Sequence, residues 1–573
     1  MKKFLVLLLA VCMMLTAAFA TGCKGKNKGA YDPDNFLTEE QALAEYGDQY
    51  RIVKNPVTIE IFVPRGSMNP RYETMEMFKV LSRRTNITFE FNHADTASYE
   101  NLRSAAWFGG DLPDFFLFSN SMEEQVSYSE EGVLIPFNDP NLVVEGVQVG
   151  SLVDNYMPNY KALLDNNFNI DTKTKARDVV TLPDGKMYST VTANDVPRDL
   201  TYKMWINQKW IDNINTTPGL KTKLSQEFGV SELPSANDIN TIDELLLVLR
   251  AFKKLDANKD GDPDNEIPAT AAEMEYLRNF ILAAYGAVSN NIEISNDGKS
   301  FNYTPATEPY REFLKMARTM FKEGLIDNNT YSILGNEQMA GNGAANRLGM
   351  FCAAAAYLVV GYDLDPNYTV FGPITSDYYN GTPLHYGFTN FSASACLIPV
   401  GTPYVREIAR LMDIMYSDLG TQLIAYGEEG THWSWDNEEK TSWTFNVPST
   451  WEGTQEEYRA TISPNVGTGA SVYWKYDFIG KMNDDIVKRL NTESERYIPF
   501  LKAPIPEDII LSREGYDETS SILLNLMPYI EMVEGEFITG VRDPFNDKAW
   551  NDHLNELVNY RYQKVVDIYN AAL

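Results

Sequence analysis

The sequence predicts an α/β protein built around a mainly parallel sheet. Strand-like and helix-like segments alternate in the first part of the chain, and that order places helices on the faces of a parallel sheet. The chain has 573 residues, of which 44% are hydrophobic and 12% aromatic. This is the composition of a folded globular protein rather than a disordered acidic one.

The alternation is clearest between residues 57 and 118. Alternating β-branched residues predict strands, and apolar residues three or four apart predict helices. The segments are a strand at 57–63, a helix at 72–84, a strand at 87–91, a helix at 99–108 and a strand at 115–118. Because ligands bind at the carboxyl ends of such strands, the loops holding Arg65 and Asn120 are candidate ligand-binding loops.

The same criteria predict further elements beyond residue 195. They are strands at 200–205, 348–352 and 397–399, and helices at 245–254 and 405–416. Thr241 and Glu244 precede the first of these helices in the spacing of a capping box, in which each side chain bonds a backbone amide of the first turn. We find no internal repeat.

The charge balance excludes several functions. The chain has 49 Lys and Arg against 79 Asp and Glu, a formal net charge of −30. Nucleic-acid binding and attachment of a protein surface to anionic lipids both require clustered basic residues. The chain has only four histidines, which disfavours metal or triad chemistry based on His.

The N-terminus is typical of an exported bacterial protein. Two lysines precede an apolar run that is shorter than the roughly 20 residues needed to span a bilayer. The end of this region resembles a bacterial lipobox before Cys23, although the family prefers Leu where Ala20 stands. We predict a lipoprotein signal peptide at 1–22 and a lipidated Cys23 with a tether at 23–50, which would anchor the protein outside the cytoplasm on the cell membrane. The alternative is an ordinary signal peptide followed by an unrelated cysteine.

Two cysteines lie beyond this region, Cys352 and Cys396. Two are too few for a disulfide scaffold. Spacing alone leaves open whether they pair or remain thiols.

Five strings of residues, in one order along the chain, carry a family resemblance. They are Gly110–Asp114, Glu131–Phe137, Trp205–Ile211, the aspartate-rich loop at 256–268, and Gly427–Gly430. In these strings the chain resembles the extracellular solute-binding proteins (family 1) of sugar ABC transporters, in particular their large lipoprotein branch.

The resemblance implies a two-lobed fold of the periplasmic-binding-protein type (type II), with crossing strands joining the lobes and a ligand cleft between them. It places lobe 1 at 51–197 and 366–425, and lobe 2 at 198–365 and 426–573. Residues 440–573 match the family least well.

The loop at 256–268 is the sharpest local motif. Calcium takes six to eight oxygen ligands, and alternate carboxylates around a glycine turn supply them. The predicted ligands of a structural Ca²⁺ are Asp256, Asn258, Asp260, Asp262 and Glu266. Glu266 stands at position 11 rather than at position 12 of an EF-hand, and Pro268 excludes a normal exiting helix. The alternative is an acidic turn without an ion.

Candidate ligand contacts follow from the chemistry of sugars. Aromatic planes suit their C–H faces, and Asn, acidic residues or Arg suit their hydroxyls. Most aromatic residues serve packing, and either arginine can instead form a surface ion pair. The candidates, chosen near strand ends and family crossings, are Arg65, Asn120, Arg198, Tyr202, Trp205, Tyr357, Phe391, Trp433, Trp435 and Trp474.

The function predicted from the resemblance is that of a receptor that binds a carbohydrate, an oligosaccharide in particular, closes its lobes on the sugar and delivers it to the permease of an ABC importer. We predict a monomer that binds no nucleic acid, contacts the membrane through its lipid only, and is not an enzyme. The chain lacks the common hydrolase and nucleotide-binding motifs. A surface-tethered glycan-active enzyme, a sensor lectin and a peptide receptor are the alternatives.

Overall fold

The computed structural model describes residues 31–66, 69–118, 121–165, 174–327, 335–464 and 472–573. The predicted signal peptide, Cys23 and Asn120 lie outside the described residues. None of the helices in the described ranges combines the length and the hydrophobicity of a transmembrane segment. The mixture of helices and strands confirms the predicted α/β class.

The strands are short, and they are numbered in chain order. They are β1 (Val57–Arg65), β2 (Ile87–Asp95), β3 (Phe115–Leu117), β4 (Val143–Val144), β5 (Val147–Gln148), β6 (Ser189–Asn194), β7 (Lys203–Asn207), β8 (Ile267–Thr270), β9 (Ile292–Ile294), β10 (Phe301–Tyr303), β11 (Leu348–Ala353), β12 (Tyr368–Val370), β13 (His385–Tyr386), β14 (Phe391–Leu397), β15 (Trp433–Trp435), β16 (Trp443–Phe445), β17 (Tyr473–Trp474) and β18 (Leu501–Lys502).

The helices are numbered in the same way. They are α1 (Glu39–Tyr46), α2 (Glu76–Thr85), α3 (Tyr99–Gly109), α4 (Met122–Glu130), α5 (Leu152–Tyr156), α6 (Pro158–Asp165), α7 (Ala176–Val180), α8 (Gln208–Thr216), α9 (Pro218–Phe228), α10 (Ile242–Lys254), α11 (Met274–Ala283), α12 (Glu308–Lys322), α13 (Gly335–Ala344), α14 (Tyr357–Val360), α15 (Val405–Tyr416), α16 (Asp418–Tyr426), α17 (Gln455–Ile462), α18 (Tyr476–Ile479), α19 (Asp485–Glu495), α20 (Arg513–Thr539), α21 (Asp547–Asn559) and α22 (Tyr562–Ala572).

The chain divides into two compact units. Unit 1 comprises residues up to 193 together with 391–483, and unit 2 comprises 194–390 together with 484–573. The chain therefore passes from one unit to the other three times.

Unit 1 contains a six-stranded sheet in the order β17-β6-β14-β3-β1-β2. β1 pairs in parallel with both β2 and β3, as the sequence predicts. β14 runs antiparallel to both β3 and β6. β6 therefore runs in the same direction as the three parallel strands.

Unit 2 contains a four-stranded sheet in the order β12-β7-β11-β8. β8 and β11 are parallel, whereas β7 runs antiparallel to β11 and to β12. Side chains from β7, from α10 to α12 and from the C-terminal helices α20 to α22 share one hydrophobic core.

The unit boundaries differ from the predicted lobe boundaries. Residues 366–390 lie in unit 2, because β12 pairs with β7 and Phe371 is buried in its core. Residues 426–483 lie in unit 1, where β17 is an outermost strand of the sheet. Only the first boundary, at 193/194, falls close to its predicted place at 197/198. Crossing points depend on contacts between distant segments, which local periodicity does not report.

The first described residues pack onto unit 1. The Arg410 guanidinium on α15 donates hydrogen bonds to the carbonyl oxygens of Leu37 at 2.6 Å, Gln49 at 2.7 Å and Arg51 at 3.1 Å. Residues 31–50 therefore do not form the tether predicted for them.

Individual elements agree closely with the sequence predictions. The capping box of Thr241 and Glu244 is present, and the helix it opens ends at Lys254 as predicted. β7 begins at Lys203 rather than at residue 200, and a 3-10 turn at Pro197–Asp199 precedes it. Cys352 and Cys396 are buried free thiols, which answers the question that their spacing left open.

Candidate functional site

One edge of the sheet of unit 1 gathers predicted ligand residues. β1, β2, β3 and β6 all end there and β14 begins there, since β14 alone among these five runs the opposite way. Arg65 is the last residue of β1, and Phe391 is the first residue of β14, paired with Ala193. We call this side of the sheet the unit 1 edge.

Arg65 retains hydrogen-bonding capacity at this edge. Its guanidinium lies 3.4 Å from the Asp95 carboxylate and donates a 3.5 Å bond to the Asn69 carbonyl. Its Nε is buried and has no partner. The side chain is 33% exposed, so its outer N–H groups, rather than the buried Nε, can donate to a hydroxyl oxygen such as those of a sugar.

The sheet of unit 2 has a corresponding edge. β8, β11 and β12 end there and β7 begins there, with Ala353 paired to Lys203. Arg198 and Tyr202 lie just before β7, and Tyr357 lies shortly after β11. The structure thus brings three predicted residues to one side of this sheet, which we call the unit 2 edge.

Two buried titratable groups hold the segment that carries Arg198 and Tyr202. Lys203 Nζ donates to the carbonyl oxygens of Arg198 at 2.5 Å and Thr201 at 3.3 Å, and burial lowers the pKa of this amine to about 8. His385 Nε2 bonds the Tyr202 carbonyl at 3.2 Å. Because a carbonyl only accepts, His385 carries its proton on Nε2. Both contacts fix the backbone on which Tyr202 is presented.

The environment of His385 keeps it neutral. Its ring stacks on Tyr497 with centroids 3.9 Å apart, and Nδ1 is buried without a partner. Burial lowers the pKa of His385 to about 4. The imidazole is therefore uncharged at neutral pH.

Tyr202 belongs to an aromatic group that the sequence analysis missed. Its ring meets Tyr276 edge-on at 4.5 Å and Phe388 at 5.3 Å, and Phe388 in turn meets Tyr386 at 5.7 Å. Phe388 is 38% exposed. The aromatic residues at 385–391 were the available signal in the sequence. We call Tyr202, Tyr276, Tyr386 and Phe388 the unit 2 aromatic group.

Four predicted rings face the interior. Trp205 is completely buried in unit 2 and donates its indole N–H to the Ala353 carbonyl at 3.1 Å. Phe391, Trp433 and Trp474 are buried in unit 1. A buried ring presents no face to a ligand in this conformation, so these four residues support the units rather than line a surface.

The remaining two aromatic candidates are partly exposed. Tyr357 stacks on Tyr362 with centroids 4.9 Å apart and planes 8° from parallel. Trp435 lies at the end of β15, with Lys440 Nζ 5.6 Å from its ring and a buried indole N–H without a partner.

The aspartate-rich loop joins α10 to β8 in unit 2. It meets β8 at the start of the strand, whereas the unit 2 edge is at its end, about 10 Å away across a four-residue strand that rises about 3.3 Å per residue. Successive side chains fold back on the loop: the backbone N–H of Asp260 bonds Asn258 at 2.9 Å, and that of Asp262 bonds Asp260 at 2.8 Å.

The loop fits a cation in part. Within the described ranges, no three carboxylate, imidazole or thiol groups converge closely enough to hold a metal ion. Two of the predicted ligands nevertheless have a buried oxygen without a partner, Oδ1 of Asp256 and Oε2 of Glu266. Burial raises the pKa of Glu266, and the nearby Asp256 charge adds to the effect. Oxygen donors alone, as here, are the ligands that Ca²⁺ prefers.

Comparison with known proteins identifies the fold. No protein-family model matches the chain. A relative from Streptococcus pneumoniae, the fructooligosaccharide ABC transporter substrate-binding protein FusA, is 24% identical over 523 residues, covering 86% of each chain. The structure of FusA in complex with kestose aligns with a TM-score of 0.67 and 22% identity over 90% of this chain and 98% of the FusA chain in that structure. The chain has the fold of the extracellular solute-binding proteins.

A second solute-binding protein supports this fold assignment. The ABC-transporter-associated protein of Bifidobacterium longum infantis that binds HMO aligns with a TM-score of 0.71 and 15% identity, over 91% of this chain and 98% of that one. The five residue strings resemble those of solute-binding proteins, and FusA, which is similar to this chain over most of its length, is an ABC transporter substrate-binding protein. A further FusA structure, with fructo-nystose, is of an EF-hand mutant, so FusA contains an EF-hand.

Proposed function

We propose that this protein is the carbohydrate-binding subunit of an ABC importer. The observation that carries the proposal is the similarity to FusA over nearly the whole chain, in sequence and in fold. FusA is a fructooligosaccharide-binding protein and was crystallised with kestose. We therefore propose a short oligosaccharide as the ligand, with fructooligosaccharides the first class to test.

The ligand contacts we propose are the partly exposed candidates. They are Arg65 and Trp435 in unit 1 and Arg198, Tyr202 and Tyr357 in unit 2, with Asn120 retained from the sequence. We add Phe388 of the unit 2 aromatic group, because its exposed ring lies 5.3 Å from Tyr202. Aromatic faces stack on the C–H face of a sugar, and the guanidinium groups donate to its hydroxyls.

The direct test is calorimetric titration of the chain from residue 24 with kestose and with nystose, using cellotetraose as a glucose-based control. In a separate unfolding experiment, ligand at 100 times its Kd should add about 2.7 kcal/mol to the free energy of unfolding. Binding of fructooligosaccharides alone supports the proposal and names the ligand class. Absence of binding across a wider glycan panel, with binding of peptides, would overturn it.

We further propose that the protein is not an enzyme. FusA and the HMO-binding protein are binding proteins of transporters. Chromatography of the sugar after prolonged incubation should recover it unchanged, whereas hydrolysis would establish the glycan-active alternative. A sugar that the protein binds, but that no permease imports in transport assays, would instead indicate a sensor lectin.

Anchoring and mechanism follow from the proposed role. We propose that a lipid on Cys23 holds the protein at the outer face of the cell membrane beside its permease, that it acts as a monomer, and that its two units close on the sugar. Cys23→Ser should release the protein into the medium, and mass spectrometry of the wild-type N-terminus should show a diacylglyceryl group. Small-angle X-ray scattering with and without sugar measures both the closure of the two units and the oligomeric state of the protein.

We propose that the loop at 256–266 binds a structural Ca²⁺. The residues that would hold it are Asp256, Asn258, Asp260, Asp262 and Glu266, and the ion would neutralise their repulsion. Support comes from the unpartnered buried oxygens of Asp256 and Glu266 and from the EF-hand of FusA. EGTA should lower the Tm of the wild-type chain and leave that of Asp260→Ala unchanged. A wild-type Tm that ignores EGTA would refute the site.

A further inference from the structure

We propose that Asn346, a residue distant in sequence from the aspartate-rich loop, supplies an additional side-chain ligand to the cation of that loop. The inference rests on the calcium binding proposed above. Its consequence is that the ion joins the loop to the turn that opens β11, so that two segments of unit 2 are held by one ion.

The fold brings Asn346 to the loop. β8 and β11 pair in parallel with Ile267 opposite Leu348, and the Ile267 N–H bonds the Arg347 carbonyl at 2.8 Å. The residues just before the two strands are therefore neighbours. The Asn258 amide confirms the contact, since its Nδ2 donates to the Asn346 carbonyl at 3.4 Å.

The unpartnered atoms of this region are all acceptors. Asp256 Oδ1, Glu266 Oε2 and Asn346 Oδ1 are buried and have no hydrogen-bond partner. Glu266 is only 3% exposed. Leaving a buried acceptor unsatisfied is costly, so three in one region favour a group that can satisfy them together. A cation satisfies several oxygens at once.

The amide of Asn258 shows how oxygens converge here. Its Nδ2 donates to Asp260 at 3.1 Å, to Asn265 at 3.0 Å and, as above, to Asn346. A positively polarised group thus already lies among oxygens of both segments. Asn346 has a φ of 53°, a left-handed conformation in which asparagine is well tolerated. This conformation permits a precise substitution.

Asn346→Gly is the decisive variant, because glycine keeps the left-handed backbone while losing the amide oxygen. Calorimetric titration with CaCl₂ should show a Kd at least about tenfold weaker than that of the wild type, the size of change seen when groups that support a metal site are lost. Asn346→Asp, which keeps the oxygen and adds charge, should bind Ca²⁺ at least as tightly as the wild type. In EGTA the Tm of Asn346→Gly should equal that of the wild type.

The controls separate the possible failures. Asn86→Gly makes the same change at another left-handed asparagine (φ 62°), in unit 1, and should leave the Ca²⁺ affinity unchanged. If Asn346→Gly binds Ca²⁺ with the same Kd as the wild type, and its Tm is lowered equally in Ca²⁺ and in EGTA, then Asn346 is merely structural. If the wild-type chain itself binds no Ca²⁺, the loop site fails and the role of Asn346 fails with it.

Discussion

Acid should destabilise unit 2 through His385, and the effect should disappear when this histidine is replaced. The ring is 3% exposed, and burial lowers its pKa from 6.5 to about 4. In the unfolded chain the ring takes a proton near pH 6.5, whereas in the folded chain it stays neutral until about pH 4. The unfolded state therefore binds more protons between these values, and stability falls as the pH falls.

The magnitude follows from the two pKa values. Each pKa unit corresponds to about 1.4 kcal/mol, so the full effect below pH 4 is about 3 kcal/mol. Between pH 7 and pH 5 the expected loss is about 2 kcal/mol. Other groups titrate in this range, among them His553, whose pKa burial also lowers to about 4. They remain in the variant, so their effects cancel in the comparison.

The assay is urea unfolding of the wild type and of His385→Gln at pH 7 and pH 5. Hydrogen exchange of peptides from unit 2 follows that unit separately. The variant loses the stack on Tyr497 and should be less stable at pH 7, but it should lose about 2 kcal/mol less than the wild type on going to pH 5. Tyr497→Phe, which removes a 2.5 Å hydrogen bond to the Phe371 carbonyl, should keep the wild-type pH dependence. Parallel pH profiles for wild type and His385→Gln would refute the reasoning.

Three further predictions concern stability and binding. Glu534→Gln breaks a buried ion pair with Arg278, 3.2 Å apart with side chains 5% and 9% exposed, and should cost about 3–5 kcal/mol in urea unfolding; a loss below 1 kcal/mol would contradict this. Arg410→Met should leave most of unit 1 folded but speed hydrogen exchange in residues 31–54, because three backbone carbonyls lose their donor; unchanged exchange would refute that role. Tyr202→Phe keeps the ring and should bind sugar with the wild-type affinity, whereas Tyr202→Ala should weaken the affinity measured by calorimetry about tenfold. If Tyr202→Ala bound as tightly as Tyr202→Phe, the contact would be excluded.

Several elements could be predicted because their causes are local. The helix after Thr241 and Glu244 begins where the capping box satisfies its first amides, and it ends as predicted at Lys254. The first two strands follow from alternating residues that include β-branched ones, the third is a short apolar run after a turn, and their parallel pairing follows from the helices between them. The start of β7 was not predicted: a 3-10 turn precedes it, and the buried Lys203 amine bonds the carbonyl oxygens of Arg198 and Thr201 beside that turn.

The candidate site was predictable only in part. Loop position after a strand correctly placed Arg65 and Tyr357 at sheet edges. It did not reveal that Trp205 and Trp433 are buried, because periodicity marks a ring as apolar without showing which neighbours cover it. Phe388 was missed for the same reason: its exposure and its contact with Tyr202 arise from segments almost 190 residues apart.

The sequence by itself determined the α/β class, the family resemblance and the oxygen-rich loop, since each depends on residue types at short spacing. Only the tertiary structure decided where the chain passes between its units, which aromatic rings remain exposed, and that Asn346 lies beside the loop. These depend on pairing between distant segments, such as β8 with β11 and β17 with β6. Such pairing is selected by the burial of whole faces, a property of the folded chain that no short segment possesses.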